Sequence, residues 1–160
     1  MKKIRVLFVC VHNSARSQIA EAYLNSIAGD KYFAESAGLE PGKLNPYVVR
    51  VIMEVGLDIS KNKTKSVDEF LKSNRTFDYI ITVCDEASGE RCPYFPGNAK
   101  RLHWTFEDPS ALTGTDEEKL KRIRIIRDKI KFKISNFIKE QIYRGIFAYD
   151  TCIRSGLCKM

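Results

Sequence analysis

The fold is decided by residues 4–24, which read IRVLFVCVHNSARSQIAEAYL. Ile4 to Val9 is almost continuously apolar and rich in β-branched residues, which is typical of a strand covered on both faces in a parallel sheet. From Ser14 to Ala28 apolar residues recur every four positions and predict a helix with one buried face, followed by Gly29 as a stop. These apolar positions are Ile19, Tyr23 and Ile27. The stretch therefore predicts a strand, a tight loop and a helix.

The rest of the chain repeats this alternation. Further strands are predicted at Tyr32–Ser36, Phe77–Val83 and Ala99–Trp104. Strands that alternate with helices predict an α/β fold in three layers, in which a four-stranded parallel sheet with right-handed crossovers is flanked by helices. We expect one domain over residues 1–160. Helical periodicity is lost after Gln141, so residues 142–160 are treated as a C-terminal extension whose structure the sequence does not define.

Two more helices carry start signals. Asn45 is placed to cap a helix with Pro46 in its first turn, closing at Gly56. Thr115 and Glu118 have the spacing of a capping box that opens a long helix. The predicted buried stripe of this long helix consists of Leu120, Ile123, Ile126, Ile130, Ile134 and Phe137.

Composition excludes some functions. The 160 residues carry a net charge of +7, which fits nucleic acid, an anionic membrane or a small oxyanion as partner. No run approaches the roughly 18 apolar residues of a membrane span, so no membrane partner is expected. The basic face of the last helix lacks interleaved aromatic residues and is predicted to be solvated rather than to bind nucleic acid. It comprises Lys119, Lys121, Arg122, Arg124, Arg127, Lys129, Lys131 and Lys133.

The cysteines favour a reducing compartment. There are five, an odd number, and Arg5 interrupts the N-terminal apolar run that could otherwise pass for a secretion signal. We therefore expect reduced thiols, a cytoplasmic location and a monomer. The tail pair, Cys152 and Cys158, could be a redox relay, a metal site or bystanders, and no Cys-x-x-Cys accompanies it. No metal site is predicted.

The loop after the first strand is the first candidate site, because open α/β sheets bind ligands beyond the carboxyl ends of their strands. Cys10 ends the strand and Arg16 opens the helix, so the backbone N–H groups between them can turn inward on an anion. The helix N-terminus, Arg16 and the Ser17 hydroxyl favour the thiolate and make Cys10 a candidate nucleophile. The predicted oxyanion-binding residues are Val11, His12, Asn13, Ser14, Ala15, Arg16 and Ser17. The alternative is an inert buried thiol beside an ordinary surface arginine.

A proton donor is needed for a leaving oxygen, and Asp108 in the segment FEDPS is the best candidate. Pro109 would stiffen its loop. The alternative is that Asp108 only starts a turn, as Asp-Pro often does.

The segments CVHNSARSQIA, ESAGLEP, ITVC, RCP and HWTFEDPS occur in this order between about Lys3 and Phe137. The set resembles the low-molecular-weight tyrosine phosphatase superfamily and, within it, the thioredoxin-coupled arsenate reductases. The resemblance implies a four-stranded parallel sheet with the oxyanion loop after the first strand. It also implies that Cys10 attacks arsenate, that Asp108 protonates the departing oxygen, and that Cys84 and Cys92 relay the oxidation to thioredoxin.

Other functions remain open at this point. The loop fits phosphate as well as arsenate, so a phosphatase acting on phosphotyrosine or small phosphate esters is the main alternative. In that case Cys84 and Cys92 would be structural thiols. A binding protein that senses anions without turnover is a third possibility.

The resemblance also bears on cofactors. Some of these reductases bind potassium beside the loop, and Asn13, Glu21 and Ser36 match three of its ligands. A fourth carboxylate does not align around Ser66 to Asp68, so potassium is only weakly supported. No other cofactor is expected apart from thioredoxin as electron donor.

Overall fold

The computed structural model describes residues 2–84 and 97–155, with the side chains of 146–155 excepted. The described strands form one parallel sheet in the order β2-β1-β3-β4. Their bounds are β1 Ile4–Cys10, β2 Tyr32–Gly38, β3 Tyr79–Thr82 and β4 Lys100–His103. The predicted four-stranded parallel α/β fold is confirmed.

Four helices flank the sheet within the described part of the chain. They are α1 Arg16–Ala28, α2 Pro46–Met53, α3 Val67–Lys72 and α4 Asp116–Ser155, and a short 3-10 turn spans Pro109–Ala111. No helix among the described residues is long and apolar enough to cross a membrane. The helix α4 continues through Ser155, well past Gln141, where the sequence no longer indicated a helix.

Alternate residues of β1 face two separate cores, as expected for a strand covered on both sides. Val6, Phe8 and Cys10 pack in the larger core, together with residues of α1, α2 and α4. Leu7 and Val9 pack in the smaller core, against residues of α3. The first of the three layers therefore consists of α1, α2 and α4, the second is the sheet, and the third is the short helix α3.

The long helix α4 closes the larger core. Its six predicted stripe residues are all buried. The ring of the last one, Phe137, lies 5.1 Å from Tyr79, 5.8 Å from Trp104 and 6.0 Å from Tyr32 between centroids. The Thr115 capping box is present: the Thr115 N–H donates to Glu118 Oε2 at 2.8 Å, and the Glu118 N–H donates to Thr115 Oγ1 at 3.2 Å.

The predicted burial of one side chain and the predicted exposure of another are wrong. Ile27 is 44 % exposed, and Leu24 and Ala28 are buried instead. Steps of four residues turn a helix through about 400°, so Ile27 has rotated by about 80° from Ile19 and out of the buried face. Arg127 is buried rather than solvated: its Nη1 donates to the carbonyl of Val51 at 3.1 Å.

The sequence reading missed α3. Its signal was present, because Ser66 and Glu69 have capping-box spacing and both reciprocal hydrogen bonds form. Six residues are too few to show a helical repeat, which explains the omission. The helix α2 is capped by Asn45 as predicted but ends at Met53, and Gly56 follows in the turn with φ of +80°.

Candidate active site: an anion-binding loop with a buried thiol

The loop between β1 and α1, residues 11–15, is tied down by its carbonyl groups. The carbonyls of Cys10, Val11, His12 and Ser14 accept backbone hydrogen bonds of 2.8–3.1 Å from the segment 39–45. No peptide bond in the described segments is cis. In a trans peptide unit the C=O and the next N–H point in opposite directions, so the following N–H groups face away from that segment.

One of these N–H groups reaches the sulfur directly. The Asn13 N–H donates to Cys10 Sγ at 3.1 Å, and Asn13 adopts a left-handed backbone with φ of +51°. Asparagine tolerates this conformation better than most residues, which is why it suits the tight loop. A backbone N–H that points at the thiol is the arrangement expected in a loop that binds an oxyanion.

The lack of a side chain at Gly38 allows the loop to approach the end of β2 closely. A Cβ at this position would lie 2.7 Å from the backbone nitrogen of Asn13 and 2.8 Å from the backbone atoms of His12 and Val11. The end of β2 thus supports the loop by direct backbone contact, and any side chain would push it away. The sequence predicted a strand at Tyr32–Ser36 and gave no indication of this role for Gly38.

The N-terminus of α1 is left open for a ligand. Its N-cap residue is Ala15, and among the described residues no side chain caps it. The first-turn N–H groups of a helix have no partner within the helix, and they carry the positive end of its dipole. They are therefore available to a negatively charged oxygen.

A network of buried side chains orients the Ser17 hydroxyl toward Cys10. The amide oxygen of Asn13 accepts from Gln18 Nε2 at 3.2 Å and from the Lys65 N–H at 2.9 Å, which fixes its amide nitrogen on the other side. That nitrogen donates to Ser17 Oγ at 2.8 Å. The hydroxyl proton of Ser17 is then free to point at Cys10 Sγ, 2.9 Å away. The Asn13 N–H and the Ser17 hydroxyl thus converge on the sulfur.

Arg16 is held in place by contacts within the chain. Its side chain is buried, and Nη1 donates to the carbonyl of Phe106 at 3.0 Å. Nη2 lies 3.4 Å from Oδ2 of Asp108. The structure therefore brings Asp108 to the loop, as predicted, although the two lie 92 positions apart. The idea of an ordinary surface arginine is wrong.

Asp108 starts a turn, and its carboxylate also faces the loop through Arg16. Its Oδ1 accepts from the Ser110 N–H at 3.0 Å and caps the 3-10 turn, while Oδ2 faces Arg16. The carboxylate is partly exposed. Pro109, which follows it, is buried and fixes the turn.

Cys84 also lies at this edge of the sheet. The Val83 N–H donates to the carbonyl of Val9 at 2.8 Å, and Cys84 Sγ lies 3.7 Å from the same carbonyl. Since β1 and β3 are neighbouring parallel strands and Val9 immediately precedes Cys10, the ends of the two strands bring Cys84 close to Cys10. Of the two cysteines, Cys10 is buried and Cys84 is partly exposed.

For the remaining predicted residues, the structure gives little or no information about their roles. His12 is exposed, and its Nδ1 pairs with the carbonyl of Glu40 at 3.0 Å. Cys92 and Cys158 lie outside the described residues, and the side chain of Cys152 is likewise not described. The relay through Cys92 and any role of the tail pair therefore stay predictions.

The sequence reading missed residues that hold the loop from outside. Gln18 Nε2 donates to the carbonyl of Lys63 at 3.2 Å, and Asn62 Nδ2 donates to Gln18 Oε1 at 2.9 Å. These contacts anchor the segment 62–65 over the start of α1. No spacing or motif marks that segment, so no signal in the sequence could have revealed it.

Comparison with known proteins agrees with this geometry. Residues 5–144 match the family described as low molecular weight phosphotyrosine protein phosphatase. The chain is 39 % identical over 137 residues to an arsenate reductase of Halalkalibacterium halodurans, covering 86 % of this chain and 96 % of the relative. The chain belongs to the low molecular weight phosphotyrosine protein phosphatase family.

Solved structures show the same relationship. One, an arsenate reductase in a phosphate-binding state, has a TM-score of 0.72 and 29 % identity over 86 % of this chain and 98 % of the other. Another, a thioredoxin-dependent arsenate reductase of Corynebacterium glutamicum, has a TM-score of 0.58 and 32 % identity, over 83 % of this chain and 62 % of the other.

Proposed function

We propose that this chain is an arsenate reductase that relays oxidation through Cys10, Cys84 and Cys92 to a thioredoxin. The observation that carries the proposal is the position of a second cysteine beside the anion-binding loop, with Cys84 Sγ 3.7 Å from the carbonyl that precedes Cys10. A phosphatase needs one thiol and water, whereas reducing arsenic(V) to arsenic(III) takes two electrons, which a pair of thiols can supply. Relatives named as arsenate reductases support the same conclusion.

Binding comes first. The backbone N–H groups of the loop, the open N-terminus of α1 and the guanidinium of Arg16 together form a site for a tetrahedral oxyanion. Because the Phe106 carbonyl already holds Arg16, little side-chain freedom is lost on binding.

The first chemical step uses Cys10 and Asp108. The thiolate of Cys10 attacks arsenic, and a sulfur–arsenic bond forms as an arsenic–oxygen bond breaks. The departing oxygen takes a proton from Asp108 and leaves as water. Asp108 suits this role because it lies next to the guanidinium that holds the anion, 3.4 Å from Nη2.

The second step reduces arsenic. The thiolate of Cys84 attacks Cys10 Sγ, a disulfide forms, and the sulfur–arsenic bond breaks with its electron pair left on arsenic, which departs as arsenite. Cys92 then attacks Cys84 and releases Cys10 as a thiolate. The Cys84–Cys92 disulfide is reduced by the dithiol of thioredoxin, which is itself oxidised. Such a relay needs a reducing compartment, so we place it in the cytoplasm.

Phosphate-ester hydrolysis is the second candidate function. The site contains every group that such a reaction requires: a thiol nucleophile, an arginine for the anion and a carboxyl group for the leaving oxygen. The family to which the chain belongs is named for this activity. In that case Cys84 and Cys92 would be dispensable.

The deciding experiment measures arsenite formation from arsenate with thioredoxin, thioredoxin reductase and NADPH. Turnover is expected in the unmodified protein and is expected to be lost in Cys10→Ser, Cys84→Ser and Cys92→Ser. Cys158→Ser, in the tail, is the matched control and is expected to keep turnover. Hydrolysis of p-nitrophenyl phosphate is measured in parallel with all four variants.

Two results would contradict the proposal. One is the absence of arsenite from the reduced, unmodified protein while Cys10-dependent ester hydrolysis proceeds, which would favour a phosphatase. The other is full reductase turnover in Cys84→Ser. Turnover lost in Cys84→Ser but kept in Cys92→Ser would remove Cys92 from the relay and point to a different thiol donor.

A further inference from the structure

Lys65 lies where the family resemblance would place a potassium ion. Its Nζ is 3.3 Å from Oε2 of Glu21, and both side chains are mostly buried. The fully buried Ser36 hydroxyl donates to the same carboxylate oxygen. The backbone N–H of Lys65 donates to Asn13 Oδ1 at 2.9 Å. Lys65 thus contacts two of the three residues matched to potassium, and the third shares its carboxylate.

These residues do not fit a potassium ion. Asn13 Oδ1 already accepts two N–H groups, from Gln18 and Lys65, so both of its lone pairs are used. Oε2 of Glu21 is shared between the Ser36 hydroxyl and the Lys65 ammonium. An added cation would have to displace a positive charge that the chain itself supplies. The expectation of a potassium site is not supported by this donor set.

We infer that the ammonium group of Lys65 serves as a built-in monovalent cation, so that the anion-binding loop is organised without potassium. A cation is needed because Glu21 lies on α1, the helix whose N-terminus forms part of the site for a negatively charged oxyanion. An uncompensated carboxylate there would weaken anion binding. Lys65 neutralises that charge from within the chain.

Lys65 also acts through Asn13. Its backbone fixes the Asn13 amide, which donates to Ser17, whose hydroxyl faces Cys10 Sγ. Lys65 is thus a positioning residue that does not touch the anion. The inference concerns the binding of any oxyanion and does not depend on whether the bound anion is reduced or hydrolysed.

The test compares potassium chloride with choline chloride at equal ionic strength. Two quantities are measured: the melting temperature, and the dissociation constant of inorganic phosphate, read from its protection of Cys10 against iodoacetamide. The variants are Lys65→Ala, which opens space, and Lys65→Met, which keeps most of the volume without the charge. Lys61→Met, an exposed lysine of the same segment, is the control.

The unmodified protein and Lys61→Met are expected to give the same values in both salts. Lys65→Ala is expected to bind phosphate about tenfold more weakly in choline chloride, from loss of one compensating charge. Potassium should restore most of this loss and raise the melting temperature. Lys65→Met is expected to bind phosphate as weakly as Lys65→Ala does in choline chloride. Potassium should not restore its affinity, because the methionine side chain fills the space.

A double variant keeps the test decisive if Lys65→Ala folds poorly. In Lys65→Met/Glu21→Gln both charges are absent while the volumes are kept, so phosphate affinity should return towards that of the unmodified protein with no response to potassium. The inference is overturned if the unmodified protein itself needs potassium for phosphate binding or stability. It is equally overturned if both single Lys65 variants behave like Lys61→Met in both salts.

Discussion

The helix N-termini of this molecule differ in how their free N–H groups are used. The helices α2, α3 and α4 each begin with a side chain that accepts from the first turn: Asn45, Ser66 and Thr115 respectively. In the described structure the N-cap residue of α1 is Ala15, which provides no such cap. Three helix ends are therefore capped by side chains, whereas the first-turn N–H groups of α1 stay available to a negatively charged oxygen.

The uncapped end is held by other means. The segment 39–45 binds the carbonyls of the loop, Gly38 supports it from below, and Lys65 and Gln18 fix Asn13. A cap contributes about 1 kcal/mol to a helix. This contribution is absent at α1, where tertiary contacts hold the loop in place instead. Open donors thus coexist with a rigid loop.

The largest effect is expected from Gly38→Ala, which removes the support of the open end. The new Cβ would meet backbone atoms of the loop at 2.7–2.8 Å, and backbone cannot move aside as a flexible side chain can. We expect a loss of about 1–3 kcal/mol in the free energy of unfolding, typical of overpacking. Phosphate protection of Cys10 should also fall sharply. Urea unfolding and iodoacetamide alkylation measure the two quantities.

Gly42→Ala is the control for that variant. Its Cβ would lie 3.5 Å from Cβ of His12, an ordinary contact, so neither quantity should change much. Equal effects of the two substitutions would show that the close approach at Gly38 is not what holds the loop.

A smaller effect is expected from Asn45→Ala, which removes a cap from α2. The Asn45 side chain accepts from the N–H groups of Tyr47 and Val48 at 3.0 Å and 3.3 Å. Its loss should lower the free energy of unfolding by about 0.5–2 kcal/mol. Phosphate affinity should be kept, because Asn45 bonds the loop through its backbone N–H to Ser14. A large loss of affinity would contradict the division between capped and open ends.

The smallest effect concerns the pH dependence at the cap of α4. The hydrogen bonds from Thr115, the backbone N–H first and then the side chain, hold the pKa of Glu118 below its usual value. A carboxyl group whose pKa is lower in the folded state stabilises the fold above its unfolded pKa, and this contribution is lost as the pH falls through the folded pKa. Glu118→Gln should therefore lower the melting temperature near neutral pH.

The difference in melting temperature between Glu118→Gln and the unmodified protein should become smaller as the pH falls from about 5 to 3, where glutamate becomes protonated. Thermal melts across this range measure it. Glu117→Gln, one position earlier on the same helical turn, is the matched control and should keep the slope of the unmodified protein. A difference that stays constant with pH would show that the cap does not depend on ionised Glu118.

Much of the fold was predictable because local patterns report it. The alternation of apolar strands with periodic helices gave the parallel sheet, and the six stripe residues of α4 are all buried. The errors lie where pattern is short or ambiguous. The six-residue α3 carries less than two helical turns, and the four-residue spacing that ends at Ile27 drifts off the buried face.

The sequence alone determined the strand–loop–helix unit and the candidate groups Cys10, Arg16 and Asp108, because a strand, a helix N-terminus and an Asp-Pro turn are local features. The tertiary structure alone decided which of these groups meet. Arg16 reaches Phe106 and Asp108, Cys84 reaches the carbonyl before Cys10, and Lys65 reaches Glu21. Such contacts join residues 44 to 92 positions apart, and only the packing of the sheet and helices brings them together.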